Sequence, residues 1–139
     1  LKGLKNILPK DCQPILVTDA GFRCPWFKSV IQMRFDYVGR LRNKTGYQRV
    51  DSEQWESDCL ELYKVATQHP HFIGRILLAK SVKLACSLVL YKKVAKNRKH
   101  LNRLGNPSNN TQSNRASRNK KDPWLLVISL DINEYDAKK

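Results

Sequence analysis

The chain has 139 residues, a formal net charge of +14 and 41% hydrophobic residues. That length fits one domain, and the cation excess points to a polyanionic partner, nucleic acid ahead of an anionic membrane surface. No run of about 18 apolar residues is present to cross a bilayer, no signal-peptide pattern opens the sequence, and Cys12, Cys24, Cys59 and Cys86 form no C-x-x-C pair. The cysteines therefore argue against structural zinc and for a reducing compartment.

In chain order, Leu1, Leu4, Ile7 and Leu8 are spaced as the tail of a helix that Pro9 stops. The run Ile15-Leu16-Val17-Thr18 reads as a strand over 14–19, and its unbroken apolar character predicts burial on both faces. It stops on a carboxylate, Asp19, followed by Ala20-Gly21-Phe22. Pro25 suits the first turn of a helix, with Trp26, Phe27, Val30 and Ile31 as its apolar face. Residues 35–42 alternate as a second strand, and a strand-helix-strand unit of this kind belongs to an α/β sheet.

Residues 47–50, 59–66, 72–79 and 83–94 read as further strands, and their spacing of about 10 residues predicts antiparallel structure. From Lys92 to Lys121 there are ten Lys or Arg residues and no acid. The Asn- and Ser-rich part of this tract lacks apolar residues to offset its ordering entropy, so disorder is expected. Pro123-Trp124-Leu125-Leu126-Val127-Ile128-Ser129-Leu130 is a last strand. The chain opens at Leu1 and closes on Asp136-Ala137-Lys138-Lys139. The expectation is an internal piece of a longer protein, or the product of a truncated gene.

Four blocks, in order and spacing, carry a resemblance: Val17-Thr18-Asp19-Ala20-Gly21-Phe22, Pro25-Trp26-Phe27, Tyr37-Val38-Gly39-Arg40-Leu41-Arg42, and Pro123-Trp124-Leu125-Leu126. Through them nearly the whole chain resembles the cut-and-paste DDE transposases of the bacterial insertion-sequence family four. The resemblance implies an α/β fold: a partial RNase H-like catalytic core (1–46) interrupted by a β-strand insertion (47–96). A disordered basic linker (97–121) and a strand returning toward the core (122–139) complete it. It implies Asp19 as a catalytic aspartate and Mg²⁺ ligand in a two-metal site, Arg40 as a holder of donor-DNA phosphate, and Trp124 as a platform for a flipped base. It also implies DNA as partner (transposon ends and target), a dimeric synaptic complex, and a cytoplasmic, nucleoid-associated place in a bacterium. The family's first aspartate would precede Leu1. Its Tyr-x-x-Arg-x-x-x-Glu signature does not occur between Trp124 and Lys139, so two of the three metal carboxylates are missing from this stretch.

The residues themselves support a narrower statement. An acid at the end of an apolar strand suits a metal that takes one or two carboxylates plus substrate phosphates; it equally suits a turn or the start of the next helix. Arg40 and Arg42 share one strand face, and a guanidinium matches phosphate oxygens. Arg42 and Lys44 are placed for less specific backbone contacts. Trp124 beside Lys120 and Lys121 has the composition of a base-stacking surface, although tryptophan in such a strand more often belongs to a core. The expected function is the central part of a DNA transposase. The alternatives are a catalytically inactive nucleic-acid-binding fragment of a truncated transposase, and a basic RNA- or DNA-binding module.

Overall fold

The computed structural model describes residues 2–94, 101–102, 104–107, 110–111, 122–133 and 136. The elements are α1 (Lys2–Ile7), β1 (Ile15–Thr18), α2 (Cys24–Gln32), β2 (Asp36–Leu41), β3 (Tyr47–Arg49), β4 (Trp55–Glu56), a 3-10 helix (Cys59–Val65), β5 (His71–Leu78), β6 (Leu84–Tyr91) and β7 (Trp124–Ile128). The strands form one open, mixed sheet in the order β1-β2-β7-β6-β5-β3-β4. β1 and β2 are parallel, as their crossover through α2 requires, and every other pairing is antiparallel. The fold is thus a seven-stranded α/β sheet with few helices. Among the described residues no helix is long and apolar enough to cross a membrane.

β7, the last strand among the described residues, lies between β2 and β6. Its Leu125 and Val127 pair with Leu41 and Gly39 on one side and with Leu90 and Leu88 on the other. Ser129 tightens the seam by donating its hydroxyl to Asp36 Oδ1 (2.7 Å) and accepting from the Tyr37 N–H (2.9 Å).

Alternation divides the sheet into two faces. On one, Tyr37, Leu41, Leu125, Val127, Cys86, Leu88 and Leu90 are buried, with Phe27 of α2 stacked 4.5 Å from Tyr37 between ring centroids. Gly39 is required here, because a Cβ at that position would come within 2.3 Å of Phe27 Cζ. α2 ends where Arg34 turns into the left-handed region (φ 60°), and the Phe35 N–H returns to the Val30 carbonyl (3.2 Å), closing the helix with a Schellman-type cap.

Two expectations need correction. β1 is an edge strand and is not buried on both faces: Ile15 is 50% and Val17 79% exposed, because α2 covers only the face that carries Leu16. Residues 59–66 are not a strand. Asp58 Oδ1 accepts from the Leu60 N–H (2.9 Å) and starts a 3-10 helix, whose outward Glu61 and Lys64, three apart, form an ion pair. The Leu60-Glu61-Leu62 alternation in this segment mimics a strand over three residues only. The tract 97–121 lies largely outside the described residues. Within it, the Asn102 side chain accepts from the Leu104 and Asn106 N–H groups and shapes a turn, with Leu101 bridged to Pro107.

Candidate nucleic-acid interface

The sheet face opposite α2 brings together three of the residues singled out by the sequence, Asp19, Arg40 and Trp124. Asp19 immediately follows β1 and continues the parity of Ile15 and Val17. Arg40 lies on β2 opposite Leu126 of β7. Trp124 is two residues before Leu126 on the same face, a diagonal neighbour within reach of a long side chain. The Arg40 guanidinium carbon lies 4.8 Å from the Trp124 ring centroid, and its Nη1 lies 3.9 Å from Asp19 Oδ1. Three residues remote in sequence thus meet where β1 ends.

Their environments differ sharply. The Asp19 side chain is 87% exposed and that of Arg40 only 10%, while Trp124 is 39% exposed. Arg40 Nε and Nη2 are enclosed and have no hydrogen-bond partner among the described residues. An enclosed, unpaired donor on a charged group is costly. Burial, and then the neighbouring Arg42 charge, lower the Arg40 pKa from its ordinary value; a guanidinium nevertheless stays protonated at neutral pH.

Two further ion pairs involve cations that follow Arg40 in the chain. Arg42 Nη2 meets Asp122 Oδ2 at 3.1 Å. Lys44 is exposed, with Nζ 3.9 Å from Asp58 Oδ2. Lys120 and Lys121 lie outside the described residues. Sequence reasoning missed Tyr63. Its hydroxyl donates to the Leu41 carbonyl (3.2 Å), beyond Gly39, where β1 pairing stops. Burial pushes the Tyr63 phenol up and the Arg40 charge opposes that shift, so the phenol lies within the field of the buried cation. No signal in the sequence marked it, because its segment imitated a strand.

No group of three or more His, Cys, Asp or Glu side chains that could hold a metal ion occurs among the described residues. Asp19 could supply one ligand to Mg²⁺, which binds through one or two carboxylates and substrate phosphates. One carboxylate with a guanidinium 3.9 Å away does not fit a two-metal site. His69 and His71 flank Pro70, with His71 opening β5, and are not part of such a group. A separate cleft, lined by Arg49, Val50, Asp51, Ile73, Gly74 and Arg75, lies on the far strands, where Arg75 Nη1 is 3.5 Å from Asp131 Oδ1.

No protein-family model matches the chain, and no curated protein matches it.

Proposed function

We propose that this chain is the central part of a DDE-type DNA transposase resembling those of insertion-sequence family four, and that the face carrying Arg40 and Trp124 binds DNA. On this reading β1, α2 and β2 belong to an RNase H-like core, and β3 to β6 to an insertion within it. One observation carries the proposal. A buried guanidinium with unpaired N–H groups is stacked on a half-exposed indole, beside a carboxylate at a strand end. A phosphate is the natural complement of such a cation, and a base the natural complement of such a ring. The partner is DNA at transposon ends and target, with a synaptic dimer and Mg²⁺ as attributes of the whole enzyme.

A second reading, a nucleic-acid-binding piece without catalysis, is favoured by the single carboxylate. The two are separated by whether the flanking coding sequence supplies the other aspartate and the glutamate; the catalytic state of this stretch is tested by incubating the purified chain with duplex and single-stranded DNA in Mg²⁺ or Mn²⁺. No cleavage is expected from Asp19 alone. Metal-dependent cleavage abolished by Asp19→Asn would reverse that assignment. Binding itself is tested by salt dependence. Neutralising about six phosphates gives a slope of log K against log salt of roughly −5. Deletion of 97–121 should flatten the slope, and an unchanged slope would move the main electrostatic contact to the folded sheet.

A further inference from the structure

We infer that Trp124 is a positioning residue for Arg40, holding the cation in place for an anion as well as offering its own ring to a base. The inference rests on the nucleic-acid reading of this face. Arg40 leaves β2, just past the end of its pairing with the edge strand β1, as a long, flexible side chain that ordinarily samples many rotamers. Here it is confined: the guanidinium lies 4.8 Å from the Trp124 ring centroid, and Nε and Nη2 are enclosed without a partner. Nη1 is the nitrogen turned toward Asp19, at 3.9 Å. That carboxylate is too distant for a hydrogen bond and 87% exposed, so it does not by itself fix the side chain. The indole does: a cation within about 6 Å of a tryptophan ring centroid is attracted to the ring, more strongly when water is excluded. The phosphate seat and the aromatic platform are therefore one unit, and anion affinity depends on Trp124 even when no base is present to stack.

The experiment compares two ligands on the intact chain: a thymidine tetranucleotide and an abasic tetramer with the same sugar–phosphate backbone. Affinities are measured at one salt concentration for the parent, Trp124→Ala, Trp124→Phe, Arg40→Lys and the Trp124→Ala/Arg40→Lys pair, with circular dichroism to verify folding. For the abasic tetramer, Trp124→Ala is expected to weaken binding about threefold to tenfold, the range of one cation–π contact. Arg40→Lys should weaken it similarly, because an ammonium keeps the charge and loses the planar stack. The pair should be little worse than either alone, and Trp124→Phe, which keeps a ring, should restore most of the affinity. The inference is overturned if abasic binding ignores Trp124→Ala while Arg40→Lys weakens it, or if the two losses multiply. In those cases the DNA-binding reading of the site survives. If neither residue affects either ligand, that reading fails and the inference with it.

Discussion

On the face of the sheet under α2, side chains from β2, β7 and β6 close into a continuous core that includes Phe27 and Cys86. On the opposite face Val17 and Ile15 are open to solvent, and a guanidinium is enclosed with two unpaired nitrogens. Both faces come from the same strands and the same alternation. The first is where burial stabilises the fold; the second is where a charged group is enclosed at a cost. Stability and binding should therefore separate cleanly by face.

The sharpest test is Phe27→Ala. The ring is fully buried, and its loss should cost about 3–5 kcal/mol in urea unfolding. Trp124→Ala, on the other face, should cost roughly 1 kcal/mol or less. Equal losses would erase the distinction and return Trp124 to the core.

Alkaline pH should act through buried thiols and phenols, the Tyr63 phenol beside the candidate site among them. Burial pushes the thiol of Cys86 up to about 12 and that of Cys59 to about 11, from an ordinary value of 9.0. Above pH 9 the unfolded chain releases these protons while the folded chain retains them, so stability is full below pH 9 and falls as pH rises toward the folded values. Cys59 alone accounts for about 2–3 kcal/mol by pH 11. Urea midpoints at successive pH values should fall less steeply in Cys59→Ala than in the parent. Parallel curves would show that the thiol gains water before unfolding.

A smaller effect is expected from Gly39→Ala. The new methyl would meet Phe27 Cζ at 2.3 Å and Cε1 at 2.4 Å, and overpacking of this kind costs about 1–3 kcal/mol. Because Arg40 is the next residue, the same substitution measures coupling between the faces: oligonucleotide affinity should hold while the unfolding midpoint drops. The smallest effect belongs to Asp19→Asn. Removing an exposed negative charge 3.9 Å from Arg40 Nη1 should raise affinity for a short oligonucleotide by roughly twofold to threefold, since exposed pairs are worth less than about 1 kcal/mol. A drop in affinity would mean that the carboxylate holds Arg40 in place.

Much of the sheet was legible in the sequence. Phe35 to Leu41 and Leu84 to Tyr91 carry enough alternation or apolar length to stand as strands without their neighbours, and the β1–α2–β2 unit follows from Pro25 and the apolar face behind it. Burial of β1 was not legible. A run of Ile, Leu and Val looks the same at the edge of a sheet as in its middle, and only the pairing order reveals that nothing described covers Val17. The 3-10 helix was hidden for a related reason: a few residues of alternation fit period two and period three equally well. In the candidate site, Asp19, Arg40 and Trp124 were each marked by type and position. Their meeting depends on β7 lying beside β2, a pairing of remote segments that local periodicity does not encode. Tyr63 became visible only with its segment's true geometry.

The position of β7 also bears on how the molecule comes together during synthesis. β1, α2 and β2 emerge before β3 to β6, which can assemble next from neighbouring segments. Among the described residues the two halves share no strand pairing until Trp124–Ile128 has been made and has entered between β2 and β6. Contacts of such long sequence separation form slowly. Until they do, each half presents a bare edge of N–H and C=O groups, a template for any passing strand. A crowded population of nascent chains would thus fill one another's gaps, and strand-exchanged dimers, increasing with concentration on refolding, are the natural by-product of a sheet whose keystone arrives last.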